Sequence, residues 1–226
     1  MLIAIEGTDG SGKHTQVNLL RERFIQEGRT CVVFGFPQYG KKSAGLVEEY
    51  LNGKYGGSDD VTPHTASLFF ALDRFDGSAQ IRTHLEAGDI VLLDRYVDSN
   101  VGHQGGKIRD QDTRSAYVDW LYDLEFRILN NPRPDLTLVL HMPPSVGQEL
   151  IKKKSKREYI EGGKTHDIHE CDLTHLQHAQ EAFLWLVKKF PQTHCTIECY
   201  TDHLLPIEEI HQKIWCEITS RLEVQI

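Results

Sequence analysis

Two clusters of residues in this 226-residue chain have the types and spacing for phosphate chemistry. The first is Gly7-Thr8-Asp9-Gly10-Ser11-Gly12-Lys13, which follows the apolar run 2–6 and opens a helical pattern. Glycines at this spacing let successive backbone N–H groups turn inward around phosphate oxygens. The helix N-terminus adds positive potential, and the lysine reaches the β- and γ-phosphates. A triphosphate site here would comprise Gly7 to Lys13 together with His14 and Thr15. After the lysine the pattern asks for Ser or Thr, whose hydroxyl ligates Mg²⁺; His14 stands there instead. Magnesium prefers hard oxygen ligands and keeps much of its water. The metal is therefore expected on nucleotide phosphates, water and nearby carboxylates.

The second cluster is Asp94-Arg95-Tyr96-Val97-Asp98-Ser99-Asn100, directly after the apolar run 90–93. An acid at the carboxyl end of a buried strand lies where open α/β sheets bind ligands. The neighbouring guanidinium can grip a phosphate with two parallel hydrogen bonds. A third feature is compositional: six of the thirteen residues from Lys152 to Lys164 are Lys or Arg, with Gly162-Gly163 near the end. This reads as a basic loop between two helices, a lid over about residues 152–166. Any one of its lysines reads more readily as a solvated charge.

The elements that must hold these clusters follow from hydrophobic period. Strands are expected at 2–6, 31–36, 90–93, 135–141 and 193–199, and helices at 15–26, 62–85, 110–129 and 206–221. Pro63 after Thr62 opens the second helix, and Gly28 closes the first. Near-continuous apolar strands alternating with helices predict an α/β fold in one domain spanning 1–226: a parallel five-stranded sheet with helices on both faces. Hydrophobic residues make up 39% and charged residues 26% of the chain, and no apolar run is long enough to span a bilayer. A net charge of −8 argues against wrapping duplex nucleic acid, though a local basic pocket can still bind an anion. The start Met1-Leu2-Ile3-Ala4-Ile5-Glu6 reads as a first strand and not a signal peptide. The five scattered cysteines then read as thiols in a reducing, cytoplasmic setting.

Taken together, Ile5 to Lys13, Phe36-Pro37-Gln38-Tyr39-Gly40, Leu72-Asp73-Arg74, Asp94-Arg95-Tyr96 with Ser99-Asn100, and Asp167-Ile168-His169-Glu170 resemble the thymidylate kinase family, most closely its bacterial members with a basic lid. The resemblance implies a P-loop kinase fold, transfer of the ATP γ-phosphoryl group to dTMP, a requirement for Mg²⁺, and a homodimer. It implies that Asp9 approaches the acceptor sugar and the metal, that Phe36 and Tyr39 wall the acceptor pocket, and that Phe70 stacks on thymine. It also implies that Arg74, Ser99 and Asn100 read the base, that Arg95 holds the acceptor phosphate, that Asp94 organises Mg²⁺, and that Glu170 lies near the sugar and metal. Without an arginine in the phosphate loop, a lid cation would assist transfer. Arg157 is the first candidate, since a planar guanidinium can bridge oxygens, with Lys153, Lys154, Lys156 and Lys164 as competitors.

Alone, Phe70 reads more readily as core, and Arg74 equally as a solvated helix residue. Two positions depart from the family pattern: Gln38 replaces an arginine near the acceptor phosphate, and His103 replaces a tyrosine near the sugar. Gln104 and Lys107 could add polar contacts. The spacing of His166, His169, His175 and His178 around Cys171 fits no closed zinc pattern, so these read as surface histidines. A nucleoside kinase is the nearest rival. It would need a carboxylate base soon after the second strand, and Phe36-Pro37-Gln38-Tyr39 contains none. A kinase acting on dUMP, or a nucleotide-binding module without transfer, would carry the same phosphate loop.

Overall fold

The computed structural model describes residues 1–152 and 172–222. Its sheet contains β1 (Leu2–Glu6), β2 (Cys31–Gly35), β3 (Ile90–Asp94), β4 (Leu136–His141) and β5 (His194–Glu198), all parallel, in the order β2-β3-β1-β4-β5. The helices are α1 (Lys13–Gln26), α2 (Gly45–Leu51), α3 (Pro63–Glu86), α4 (Asp98–His103), α5 (Gln111–Tyr122), α6 (Pro144–Lys152), α7 (Leu173–Lys189) and α8 (Ile207–Leu222). This is the doubly covered parallel sheet that the strand pattern predicts. Beyond Lys152, which ends α6, the expected basic lid lies outside the described residues, as do Arg157, His166, His169, Glu170 and Cys171.

Successive side chains of a strand point to opposite faces, and β1 feeds two cores accordingly. Ile3 and Ile5 pack with Val17, Leu20 and Phe24 of α1 and Ile214 of α8. Leu2 and Ala4 pack with Ile81 of α3, Tyr117 of α5 and Leu186 of α7. The register sets Ile5 beside Asp94. The loop after β1 and the Asp94-Arg95 turn are thereby brought to one edge of the sheet.

Caps mark several boundaries. Thr62 accepts from the Thr65 N–H (3.2 Å), with Pro63 as the first helical residue, and Asp110 accepts from the Thr113 N–H (2.8 Å). Most boundaries fall within one residue of the sequence expectation, and three of the shifts have a local reason. Helix α1 begins at Lys13 and not at Thr15, because the loop passes straight into the helix. Strand β2 stops at Gly35, and Phe36-Pro37 turns toward the site with a cis peptide bond. The helix expected to run to residue 129 changes at Tyr122 into a π-helical turn over Asp123–Ile128. Helices α2 and α4 carried too short a hydrophobic period to be foreseen.

Helix α4 packs closely against α7. A Cβ on Gly102 would come within 2.3 Å of the Phe183 ring, so only glycine admits this approach. Among the described residues, no helix is long and apolar enough to cross a membrane.

Candidate active site

The carboxyl ends of β1 and β3 open into a cavity of about 660 Å³. Part of its lining comes from the loop after β1 and the start of α1: Asp9, Gly10, Gly12, Lys13, His14 and Thr15. The rest includes Phe36 and Tyr39 after β2, Phe70, Asp73 and Arg74 on α3, and Asp94, Arg95, Ser99, Asn100, His103 and Gln104 around α4. Gly7, Thr8 and Ser11 lie behind this surface, where they hold Lys13.

The loop needs glycine for a specific reason at position 10. Its φ is 81°, and a Cβ there would lie 2.2 Å from the Gly147 carbonyl oxygen of α6. Loop and helix meet backbone to backbone.

The Lys13 ammonium donates to the carbonyl oxygens of Gly7 (3.0 Å) and Thr8 (2.8 Å). Burial pulls its pKa down to about 7, helped by the nearby Arg95 guanidinium, while Asp9 and Asp94 act in the opposite sense. The free protein thus sheds this proton above neutrality, well below the ordinary lysine value of 10.5. An anionic ligand favours the ammonium and raises the bound-state pKa. Binding above neutrality must therefore take up a proton, and affinity must fall as pH rises through about 7. Calorimetry with a non-hydrolysable ATP analogue at about pH 8, in buffers of different ionisation enthalpy, is expected to show uptake approaching one proton. No uptake would mean that Lys13 stays charged in the free protein.

Arg95 is the second cation. Its φ of 67° puts a non-glycine residue in the left-handed region, a conformation that persists only where surroundings enforce it. Here several groups do so. One Nη pairs with the Asp9 carboxylate. The other donates to the Gly7 carbonyl (3.4 Å), Ser99 Oγ (3.3 Å) and His103 Nε2 (3.3 Å). Burial opposes its charge, but Asp9, Glu6 and Asp94 outweigh that and hold the pKa above the ordinary arginine value.

Sequence reasoning missed the residue beneath this turn. Glu6 is wholly buried and accepts from the N–H groups of Tyr96 (2.7 Å) and Ser99 (3.0 Å) and from Ser99 Oγ (2.6 Å). Burial first, and then repulsion from Asp98, push its pKa up to about 7. The available signal was an acid closing a strand whose other four residues are apolar.

Farther along the cavity, the Phe70 ring meets Tyr50 at a right angle, with centroids 6.2 Å apart. Arg74 is 1% exposed and pairs through Nε (3.0 Å) and Nη2 with Glu125 of the π-helical turn. It also reaches Asn100 Oδ1 at 3.4 Å. Asn100 Nδ2 and both amide atoms of Gln104 are buried and find no partner among the described residues. Buried polar groups normally have partners, so unpaired amides lining a cavity suit a ligand that carries donors and acceptors.

The thymidylate kinase family model matches residues 5–214. The chain belongs to the thymidylate kinase family. It is 34% identical to the thymidylate kinase of Mycobacterium tuberculosis (strain ATCC 25618 / H37Rv) over 173 residues, which are 76% of this chain and 78% of the relative. It is 30% identical to that of an Exiguobacterium species over 222 residues, 94% and 96% of the two chains. It is 31% identical to the probable thymidylate kinase of Thermococcus onnurineus over 221 residues, 95% of each.

Several positions stand out within this thymidylate kinase fold. The Nδ1 of His14 lies 3.3 Å from the Asp94 carboxylate, and its Nε2 lies 3.1 Å from Asn18 Nδ2. Gln38 turns away from the cavity: its amide donates to the Asp73 carbonyl (2.9 Å) and to Asp76 (3.2 Å). Lys107 also points elsewhere, donating to Tyr50 OH (3.1 Å) and the Ser58 carbonyl. The reading of His175 as a surface histidine is corrected. It is 6% exposed, because it follows the Asp172 cap by three residues and falls on the face of α7 that packs on α4.

Proposed function

We propose that the cavity holds ATP on the phosphate loop and dTMP against α3 and α4, and that the enzyme transfers the γ-phosphoryl group between them. The observation that carries this division is the convergence of Lys13 and Arg95 on one cavity, joined through Asp9. Loop amides and Lys13 bind the donor phosphates. Arg95 holds the acceptor phosphate. Phe70 stacks on the base, and Arg74, Asn100 and Gln104, with Ser99 beside them, meet its polar edge. Phe36 and Tyr39 wall the pocket, and His103 faces the sugar.

In the reaction a phosphate oxygen of dTMP forms a bond to the γ-phosphorus. The bond from that phosphorus to the β–γ bridging oxygen breaks, and ADP leaves. The transition state is loose and its charge sits on oxygens, so the protein acts by positioning and by charge. Lys13 and Arg95 supply positive charge from opposite sides of the transfer. Arg157 adds to it in the lid reading.

The donor set fits Mg²⁺ in the way expected for a metal shared with a nucleotide. Asp9 and Asp94 offer hard oxygens at the ends of β1 and β3, and among the described residues no cluster of three ligating side chains forms a closed protein site. Asp9, Asp94 and, by resemblance, Glu170 would hold the ion together with phosphates and water. Bound there, Mg²⁺ would neutralise charge on the phosphate oxygens. His14 hydrogen-bonds Asp94 and stands outside the ligand set.

A nucleoside kinase would need a free carboxylate near the acceptor. Asp73 lines the cavity but is already engaged by the Gln38 N–H (2.8 Å) and Ser43 Oγ (2.6 Å). A coupled assay of ATP consumption with dTMP, dUMP, UMP and thymidine is expected to rank dTMP first. Turnover of thymidine in preference to dTMP would overturn the assignment.

The same reading makes the enzyme a cytoplasmic homodimer. Helix α3 exposes Leu68, Leu72 and Phe75 at a spacing that forms one stripe. Sedimentation should show a dimer that Leu72→Glu converts to monomer. An unchanged dimer would place the interface elsewhere.

A further inference from the structure

His103 lies between two fixed groups. On one side, Arg95 Nη1 is 3.3 Å from His103 Nε2. On the other, His103 Nδ1 is 3.3 Å from His175 Nε2, and the two rings are nearly parallel with centroids 5.5 Å apart. The exposures are 8% and 6%.

The donors and acceptors in this row are not interchangeable. A guanidinium only donates. His103 Nε2 must therefore accept, which puts the ring proton on Nδ1. That proton then points at His175 Nε2, which must accept in turn. Burial favours neutral rings at both positions, and the charge of Arg95 acts in the same sense on His103. A neutral ring has one proton to place, so the partner of one nitrogen decides the character of the other.

We infer that His175 is a positioning residue for the acceptor site: by accepting the His103 Nδ1 proton it keeps the His103 Nε2 lone pair on Arg95, and so orients the guanidinium that clamps the acceptor phosphate. The inference rests on the reading of Arg95 and His103 as acceptor-facing. The packing supports a rigid link, since Gly102 lets α4 sit directly on Phe183 of α7, and a Cβ on Gly106 would lie 2.9 Å from the His178 backbone. Without an acceptor at position 175, the proton can move to Nε2. An N–H would then face the guanidinium, and Arg95 would lose one of the contacts that fix it.

The test separates tautomer from kinetics. In ¹H–¹⁵N spectra of the imidazole groups, with the His103 signals identified by their loss in His103→Gln, the wild type should be protonated at Nδ1 and bare at Nε2. His175→Leu should shift the proton to Nε2 or to a mixture, and His175→Gln, which keeps an acceptor oxygen, should retain the wild-type pattern. In steady state, His175→Leu should raise KM for dTMP about tenfold, the effect of one hydrogen bond, with KM for ATP unchanged and His175→Gln close to wild type. Nε2 protonation in the wild type, an unchanged spectrum in His175→Leu, or an equal rise in KM for both variants would overturn the inference. A shifted tautomer with unchanged KM for dTMP would also overturn it. The spectra of the free protein do not depend on where dTMP binds, whereas the acceptor panel tests that placement independently.

Discussion

Lys13→Met is expected to lower kcat by about 10²–10³-fold, the usual loss when one preorganised donor to developing charge is removed. The side chain is buried and already aimed into the loop by the Gly7 and Thr8 carbonyls. Those carbonyls lose a donor in the variant. Against that, a group whose charged form is disfavoured by burial is replaced by an apolar one of similar length. The two effects oppose each other, so the thermal midpoint should move by less than about 5 °C. Activity and stability thus come apart, which marks a residue used for chemistry. Stopped-flow or coupled turnover, with a melting curve on the same sample, checks both halves. A loss of less than about tenfold would shift the main charge stabilisation to the lid.

The second large effect falls on stability. Glu125→Ala should cost about 3–5 kcal/mol, the cost of leaving a buried charge without its partner. Glu125 is completely buried: one carboxylate oxygen pairs with Arg74 and the other accepts from Asn131 Nδ2 at 2.7 Å. Removing it strands the Arg74 guanidinium, which is 1% exposed, and leaves Asn131 without that acceptor. Arg74 also holds Asn100 Oδ1, so variant protein that still folds should bind dTMP more weakly while ATP affinity is retained. Urea unfolding of wild type and variant gives the energy, and dTMP titration gives the second readout. A stability loss of under about 1 kcal/mol would mean that water or a rearranged partner satisfies Arg74. Replacing both residues by apolar ones of similar volume should cost less than removing Glu125 alone.

The contrast between these two residues shows what the sequence could reveal. The phosphate loop is local: seven consecutive residues carry its backbone conformation and its cation, so it reads directly from the chain. The sheet was legible because parallel strands buried on both faces are runs of apolar residues, and a helical period separates them. Asp94-Arg95 was legible because it ends such a run. Glu125 was not, since it meets Arg74 across 51 positions through a π-helical turn that no spacing announces. His175 was misread for a similar reason. Its neighbours in sequence are polar and histidine-rich, whereas its burial comes from α4, 72 positions away. Gln38 departs from the family pattern at one position, and only the fold shows that Asp73 and Asp76 hold its side chain away from the cavity. Residues marked by a local pattern were visible in the sequence, and residues whose surroundings come only from distant elements were not.

The strand order has a consequence for how the protein comes to exist on the ribosome. Strand β1, which delivers the nucleotide loop, is made before either of its sheet neighbours, yet it lies between β3 and β4. It gains one neighbour only after Ile90–Asp94 has emerged and the other only after Leu136–His141. Until then β1 has α1 to pack against but neither of its sheet partners, and the loop it delivers lacks the strand that carries Asp94-Arg95. Bound nucleotide can therefore assist maturation only once β3 and β4 have joined β1 in the sheet.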